Sequence, residues 1–173
     1  MGDAVKEENN ELTHLDSGGR LRMVDVTEKE ISSREARAEG AMHMARGTLD
    51  RICEGAIPKG NVFEAARLAG ILAAKRTWEL IPLCHSIQLT GVEVEFESVL
   101  EESKVIIRSL VRTRDRTGVE MEALVAVANA GLTIYDMCKA IDKEMIISDI
   151  HLIEKSGGKS GTFRTRRNPN DPR

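Results

Sequence analysis

The sequence predicts an α+β fold, a mainly antiparallel sheet with helices packed on one face. Three observations predict it. Val92, Val94 and Phe96 alternate with Glu93, Glu95 and Glu97, and a second run returns through Val105, Ile107 and Val111. That period of two marks a hairpin with one wet face. Residues 123–130 are almost wholly apolar and rich in strong helix formers, which marks a buried helix. The element order then reads strand, two helices, hairpin, long helix, strand, which is the ferredoxin-like plan.

Taken in order, residues 1–11 are polar and acidic and read as a disordered tail. Met23 to Val26 is a short extended segment, and Thr27 with Glu30 fits a capping box where a helix can start. Against that helix, Ala36, Ala38, Gly40, Met42 and Met44 alternate with Arg37, Glu39 and His43, so a strand is expected over 34–44. A short helix follows over 48–54, with Gly55 as its stop. After the Pro58-Lys59-Gly60 loop, Asn61 and Glu64 form a second capping box. The helix it opens is expected to run from 62 to about 80, where Pro82 ends it. The hairpin occupies 92–113, with its loop at Glu101-Glu102-Ser103. The long helix spans 118–143, a last strand 145–155, and a glycine loop 156–161. Residues 162–173 carry Arg164, Arg166, Arg167, Pro169 and Pro172 and read as a basic disordered tail.

Composition narrows the function. Aromatic residues are only 3% of the 173, so the core must be aliphatic. A net charge of −3 speaks against bulk nucleic-acid binding, and a phosphorylated ligand would need a local basic pocket. Cys53, Cys84 and Cys138 include no CxxC pair, which suits structural thiols in a reducing compartment. No apolar run approaches the ~20 residues of a membrane span, and the N-terminus lacks signal-peptide character. A cytoplasmic protein with no membrane partner is expected.

The long helix carries charges its apolar context does not explain: Glu120, Glu122, Asp136 and Lys139. Asp136 and Lys139 are three apart and share a face. Glu122 and Asp136 lie about 21 Å apart along a straight helix axis. Either the helix breaks near Gly131, or two copies of the chain bring opposite ends together; an all-round apolar helix suits the second. A carboxylate and an ammonium in a poorly hydrated site suit proton transfer, while a buried structural ion pair is the plain rival reading. Glu120 and Glu122 flank Met121 at the helix start, where the dipole favours carboxylates.

Other candidates stand elsewhere. Lys59 beside a capped helix start suits an anion, or is a solvated loop lysine. His85, on a short loop after a proline-ended helix, is a proton donor or acceptor, or a histidine satisfied by backbone. Cys84 beside it raises a Cys-His nucleophile or a zinc site, but neither has ligand spacing. Of Lys75 and Arg76, one can reach a phosphate while the other snorkels. Gly157-Gly158-Lys159-Ser160 is not a Walker loop, because Ile153 stands where that pattern needs glycine. Lys159 can still meet an anionic ligand.

Several segments together resemble one family: Met23-Val24-Asp25-Val26, Arg34-Glu35-Ala36-Arg37-Ala38, Lys59-Gly60, Ala73-Ala74-Lys75-Arg76-Thr77, Ile81-Pro82-Leu83-Cys84-His85, Gly118-Val119-Glu120-Met121-Glu122-Ala123-Leu124, Leu132-Thr133-Ile134-Tyr135-Asp136-Met137-Cys138-Lys139-Ala140 and Ser156-Gly157-Gly158-Lys159-Ser160-Gly161. With Leu12-Thr13-His14 they are similar to the MoaC family over residues 12–161. The resemblance implies a catalytic domain over that span, and a homohexamer, a trimer of dimers, with sites between protomers. It implies synthesis of cyclic pyranopterin monophosphate, on the route to molybdenum cofactor, from a cyclised dihydro-GTP made by a radical-SAM enzyme, with release of diphosphate. By motif match Asp136 is the acid/base, Lys139 its partner, and Lys59 and His85 complete the catalytic set. Leu83, Cys84, His85, Glu120, Met121, Glu122 and Lys159 would hold substrate. No metal ligand or cofactor is implied, and assistance by Mg²⁺ is left open. Two positions depart from the family pattern: Ser86 replaces a proline and Asn61 an aspartate. Asparagine caps as well as aspartate, whereas Ser86 relaxes the loop that aims His85. The rival from another class is a non-catalytic oligomeric nucleotide-binding module.

Overall fold

β1 (Ser32–His43) is the strand on which the sheet is built. The computed structural model describes residues 18–159 and 161–165. β1 is followed by α1 (Arg46–Cys53), α2 (Val62–Ala74) and α3 (Thr77–Leu80). The hairpin of β2 (Leu89–Val99) and β3 (Lys104–Asp115), the helix α4 (Glu120–Cys138) and the strands β4 (Ile146–Ser156) and β5 (Phe163–Arg164) complete it. The strand order is β2-β3-β1-β4-β5, with every neighbouring pair antiparallel. β3 thus lies between β1 and β2, as the ferredoxin-like plan requires.

The two faces of the sheet differ in chemistry. On one, Ala36, Ala38, Met42, Val105, Ile107 and Val111 are buried beneath the helices. On the other, Arg108 bridges Glu39 and Glu97 at 2.7 and 2.6 Å, and Arg112 bridges Glu35 and Glu93 at 2.9 and 2.5 Å. Period-two alternation therefore sorts apolar from charged residues across the sheet.

α2 and α4 pack closely because glycine lets them. A Cβ on Gly70 would lie 2.9 Å from the Ala126 carbonyl oxygen. Asn129 Nδ2 donates to the Ala69 carbonyl at 2.9 Å and fixes the register of the two helices. Ser109 Oγ donates to the Ala123 carbonyl at 2.8 Å and ties β3 to α4 beneath them.

Several expectations are corrected. The helix expected over 62–80 is interrupted at Lys75-Arg76. The buried Thr77 hydroxyl bonds the carbonyls of Ala73 and Ala74, and Arg76 leaves helical geometry at φ −119° and ψ 16°. No helix starts at Thr27, because the Asp25 side chain accepts from the Thr27 N–H at 2.8 Å and closes a turn instead. α4 is shorter than 118–143, and it is not broken at Gly131, which packs against Ile147. Nor is it apolar-buried all round: Ala123, Ala126, Val127, Ala130 and Ile134 form one buried stripe, and Leu132 is exposed. Part of the span read as a disordered C-terminal tail is ordered, since Phe163–Arg164 forms β5 against Glu154 and Lys155. Residues 1–11 and 166–173 lie outside the described residues.

α1 ends as its glycine predicts. Gly55, at φ +68°, follows the C-cap; its N–H donates to Ile52 and that of Ala56 to Arg51, the Schellman pattern. No helix among the described residues is long and apolar enough to cross a membrane.

Candidate active site

The chain folds its site candidates, Lys159 apart, into two clusters at opposite ends of α4. The first gathers at the N-terminal end. Ile81 is extended, as a residue before proline must be, and a turn closed by the Cys84 N–H on the Ile81 carbonyl at 3.0 Å carries the 83–85 loop. Leu83, Cys84 and His85 thereby line a cavity of about 420 Å³ with Glu120, Met121 and Glu122. Val24, Val26, Lys29, Ile87, Thr117 and Gly118 complete its wall.

Glu122 is the most perturbed group there. It is 4% exposed, and removal from water pushes its pKa up to about 7, with the charge of Glu120 acting in the same direction and its own backbone N–H opposing. Glu120 pairs with Lys155 at 2.7 Å. Burial, and then the charge of Glu122, raises the Cys84 thiol, which opposes a thiolate nucleophile. His85 Nε2 donates to the Val24 carbonyl at 2.8 Å, so that nitrogen carries a proton and backbone sets the ring's orientation. One ring nitrogen of His85 is therefore satisfied by backbone, which orients the ring in the cavity wall with Ser86 in place of proline.

The second cluster sits at the C-terminal end. Gly60, at φ +102°, turns the chain just before the Asn61 cap, whose Oδ1 accepts from the Glu64 N–H at 3.1 Å. Lys59 thereby reaches Asp136, with Nζ 2.8 Å from its carbonyl and 3.1 Å from Oδ2. Lys139 Nζ meets Oδ1 at 2.7 Å from one turn further on. Hydrogen bonds from Lys139 and then Lys59 hold the Asp136 carboxyl below the usual range, and Asp136 raises Lys139 in turn. Within the single chain the Asp136 side chain is 59% exposed.

The two clusters do not meet within one chain, being about 21 Å apart along α4. Lys159 belongs to neither; it lines an adjoining cavity that shares Lys29 with the first. Lys75 lines a separate cleft with Ile71 and β2. Lys29 and Lys155 were missed by sequence reasoning. Lys29 falls where a helix start was read, and Lys155 meets Glu120 only through the pairing of β4 on β1, which no local spacing announces. Among the described residues no three His, Cys, Asp or Glu side chains are placed to hold a metal ion.

A ferredoxin-like sheet with a carboxylate-lined cavity at one end of its main helix and a lysine-aspartate-lysine cluster at the other defines a small α+β protein built to handle a polar, charged ligand. The chain belongs to the MoaC family, whose model matches residues 23–158. It is also 56% identical over 155 residues to a protein of Pelotomaculum thermopropionicum named cyclic pyranopterin monophosphate synthase, covering 90% of this chain and 91% of that relative.

Proposed function

We propose that this protein is a cyclic pyranopterin monophosphate synthase, a lyase of the cytoplasm acting in molybdenum cofactor biosynthesis. Its substrate is a cyclised dihydro-GTP supplied by a radical-SAM enzyme. It rearranges the base-derived ring, closes a cyclic phosphate and releases diphosphate. The observation that carries the reading is the cavity that gathers 83–85 and 120–122, the segments that match the family motif, around a carboxyl group titrating near neutrality.

The chemistry fits the residues. Ring opening and closure move protons on and off nitrogen and oxygen. Asp136, ionised between two ammonium groups, becomes a stronger base when an anionic substrate draws Lys59 or Lys139 away from it. Glu122, buried and near neutral, can give or take a proton at pH 7. Closing the phosphate forms a bond from a substrate hydroxyl oxygen to the α-phosphorus and breaks the bond from that phosphorus to the bridging oxygen. The hydroxyl proton passes to a base, and the bond electrons leave with diphosphate, whose charge lysines offset.

The working site is proposed to form between protomers of a hexamer built as a trimer of dimers. Two observations support that proposal: the separation of the clusters within one chain, and the exposed Leu68, Leu72 and Leu132 on the helical layer. The exposure of Asp136 in the single chain is the one observation on the side of a non-catalytic nucleotide-binding module. Incubating the purified protein with the cyclised precursor decides between them. Diphosphate release with formation of the cyclic monophosphate is expected, and binding without turnover would leave only the module.

A further inference from the structure

One wall of the main cavity comes from neither the sheet nor the helices. Residues 22–31 lead into β1 and belong to no strand or helix. Among them only Val24 and Val26 are half-buried, and both line the cavity. The others are exposed, Met23 and Ile31 by more than half. Alternation thus turns two valines inward and buries almost nothing else. Ordering the whole segment costs more conformational entropy than two half-buried valines offset, so polar contacts must hold it.

Those contacts are few. Within the segment, Asp25 Oδ1 accepts from the Thr27 N–H at 2.8 Å and the Lys29 N–H donates to the Val26 carbonyl at 3.0 Å, which closes a turn. Among the described residues, its hydrogen bonds to the rest of the chain come from two side chains. His85 Nε2 donates to the Val24 carbonyl at 2.8 Å. Arg116 Nη1 donates to the carbonyls of Thr27 and Lys29, the latter at 2.8 Å. Arg116 is itself anchored just past β3: its N–H donates to Asp115 Oδ1 at 2.6 Å, and its carbonyl accepts from Arg34 Nη2 at 3.0 Å. The next two residues, Thr117 and Gly118, line the cavity, whereas Arg116 does not.

The two anchors are therefore coupled. His85 takes its direction from the Val24 carbonyl, that carbonyl is placed by the segment, and the segment is tied down by Arg116. An arginine that only satisfies surface carbonyls is the plain reading. It does not explain why the carbonyls chosen lie on the one irregular stretch that walls the cavity and meets His85.

We propose that Arg116 is a positioning residue: it latches 22–31 along the cavity and, through the Val24 carbonyl, aims the His85 ring. It touches no substrate. Without it the segment keeps one hydrogen bond to the rest of the described chain, and the ring loses its fixed direction. Misplacing a working group by about 1 Å costs on the order of 100-fold in rate. The latch and the aim of His85 stand on the geometry, whereas the effect on turnover rests on the synthase reading.

The test compares full-length wild type, Arg116→Met, Arg116→Lys and Arg114→Gln. Methionine keeps an apolar stem and donates nothing, while lysine keeps the charge and has donors for both carbonyls. Arg114 is exposed, and its substitution controls for the loss of one cation at the end of β3. Hydrogen–deuterium exchange read by mass spectrometry follows the amides of 22–31 and the ring carbon between the two nitrogens of His85. In Arg116→Met both should exchange about tenfold faster, as loss of one charge-assisted hydrogen bond allows, with the melting temperature unchanged because the opening is local. Its kcat should fall at least about tenfold, with KM changed far less. Arg116→Lys should restore most of each, and Arg114→Gln should match wild type. Wild-type exchange over 22–31 in Arg116→Met would overturn the latch. Faster exchange there with His85 exchange and kcat unchanged would overturn the positioning role. If exchange rises at both places in Arg116→Met while the wild type turns no precursor over, the latch stands and the synthase reading falls.

Discussion

Lys59 donates to Asp136 twice, once to the backbone carbonyl at 2.8 Å and once to the carboxylate at 3.1 Å. A loop residue 77 positions upstream thus serves the last turn of α4 as a cationic cap. Its second bond, with that of Lys139, keeps Asp136 ionised. The arrangement is exposed, so it contributes little to stability and is free to be spent on a ligand.

From this, Asp136→Asn should melt as wild type and lose turnover, because the amide cannot accept a proton. Lys59→Ala should lower kcat/KM on the order of 100-fold, as loss of one preorganised charge does. Circular dichroism melting and a diphosphate-release assay check both. An Asp136→Asn variant as active as wild type would remove Asp136 from the mechanism.

Glu122 gives a pH signature. Its pKa is raised from 4.5 to about 7 on folding, chiefly by burial. The folded state therefore holds the proton more tightly than the unfolded state. That stability is fully present below pH 4.5 and is lost as pH rises through about 7. Glu122→Gln should abolish the dependence and be more stable at pH 8, by at most about 3 kcal/mol. Urea unfolding at pH 5 and pH 8 measures it. If the stabilities of the two proteins ran parallel across that range, Glu122 would not titrate there.

Most of the architecture was legible because period and punctuation agreed. Alternation located β1 and the hairpin, Asn61 with Glu64 located the start of α2, and Gly55 the end of α1. Where the sequence misled, a competing side-chain bond had won. Thr27 and Glu30 spell a capping box, but Asp25 takes the Thr27 N–H first. The helical pattern continues through 75–76, but the Thr77 hydroxyl takes the carbonyls of the preceding turn. Motif resemblance named the site candidates residue by residue, while their division between two ends of one helix followed from spacing alone. The contributions of Lys29 and Lys155 depend on loop and strand pairing distant in sequence, and no local pattern encodes them.

Cys84 should prove dispensable as a nucleophile. Burial and the neighbouring Glu122 raise its pKa, so little thiolate exists near neutrality. Its alkylation by iodoacetamide at pH 7.5 should be slower than that of the exposed Cys53. Cys84→Ala should retain turnover within about tenfold, the change being one of packing rather than chemistry. Mass spectrometry of modified peptides reads the rates, and rapid Cys84 labelling with loss of turnover on substitution would restore a thiol mechanism.

Asp142 is a structural clasp that the sequence does not advertise. The N-cap of α1 is Ala45, which has no side chain to offer the first turn. Asp142, from the segment after α4, supplies what is missing: its Oδ2 accepts from the Ala45 N–H at 2.8 Å and from the Thr48 hydroxyl at 3.2 Å. Its Oδ1 takes the Glu144 N–H at 3.0 Å and holds the turn into β4. One carboxylate therefore joins the start of α1 to the end of α4. Asp142→Ala removes three accepted hydrogen bonds and should cost about 1–2 kcal/mol, the range of a lost helix cap. Asp142→Asn keeps one acceptor oxygen and should cost distinctly less. Thermal melts of the two variants at fixed protein concentration test the assignment, and equal melting temperatures for Asp142→Ala and wild type would show that solvent satisfies the first turn of α1 unaided.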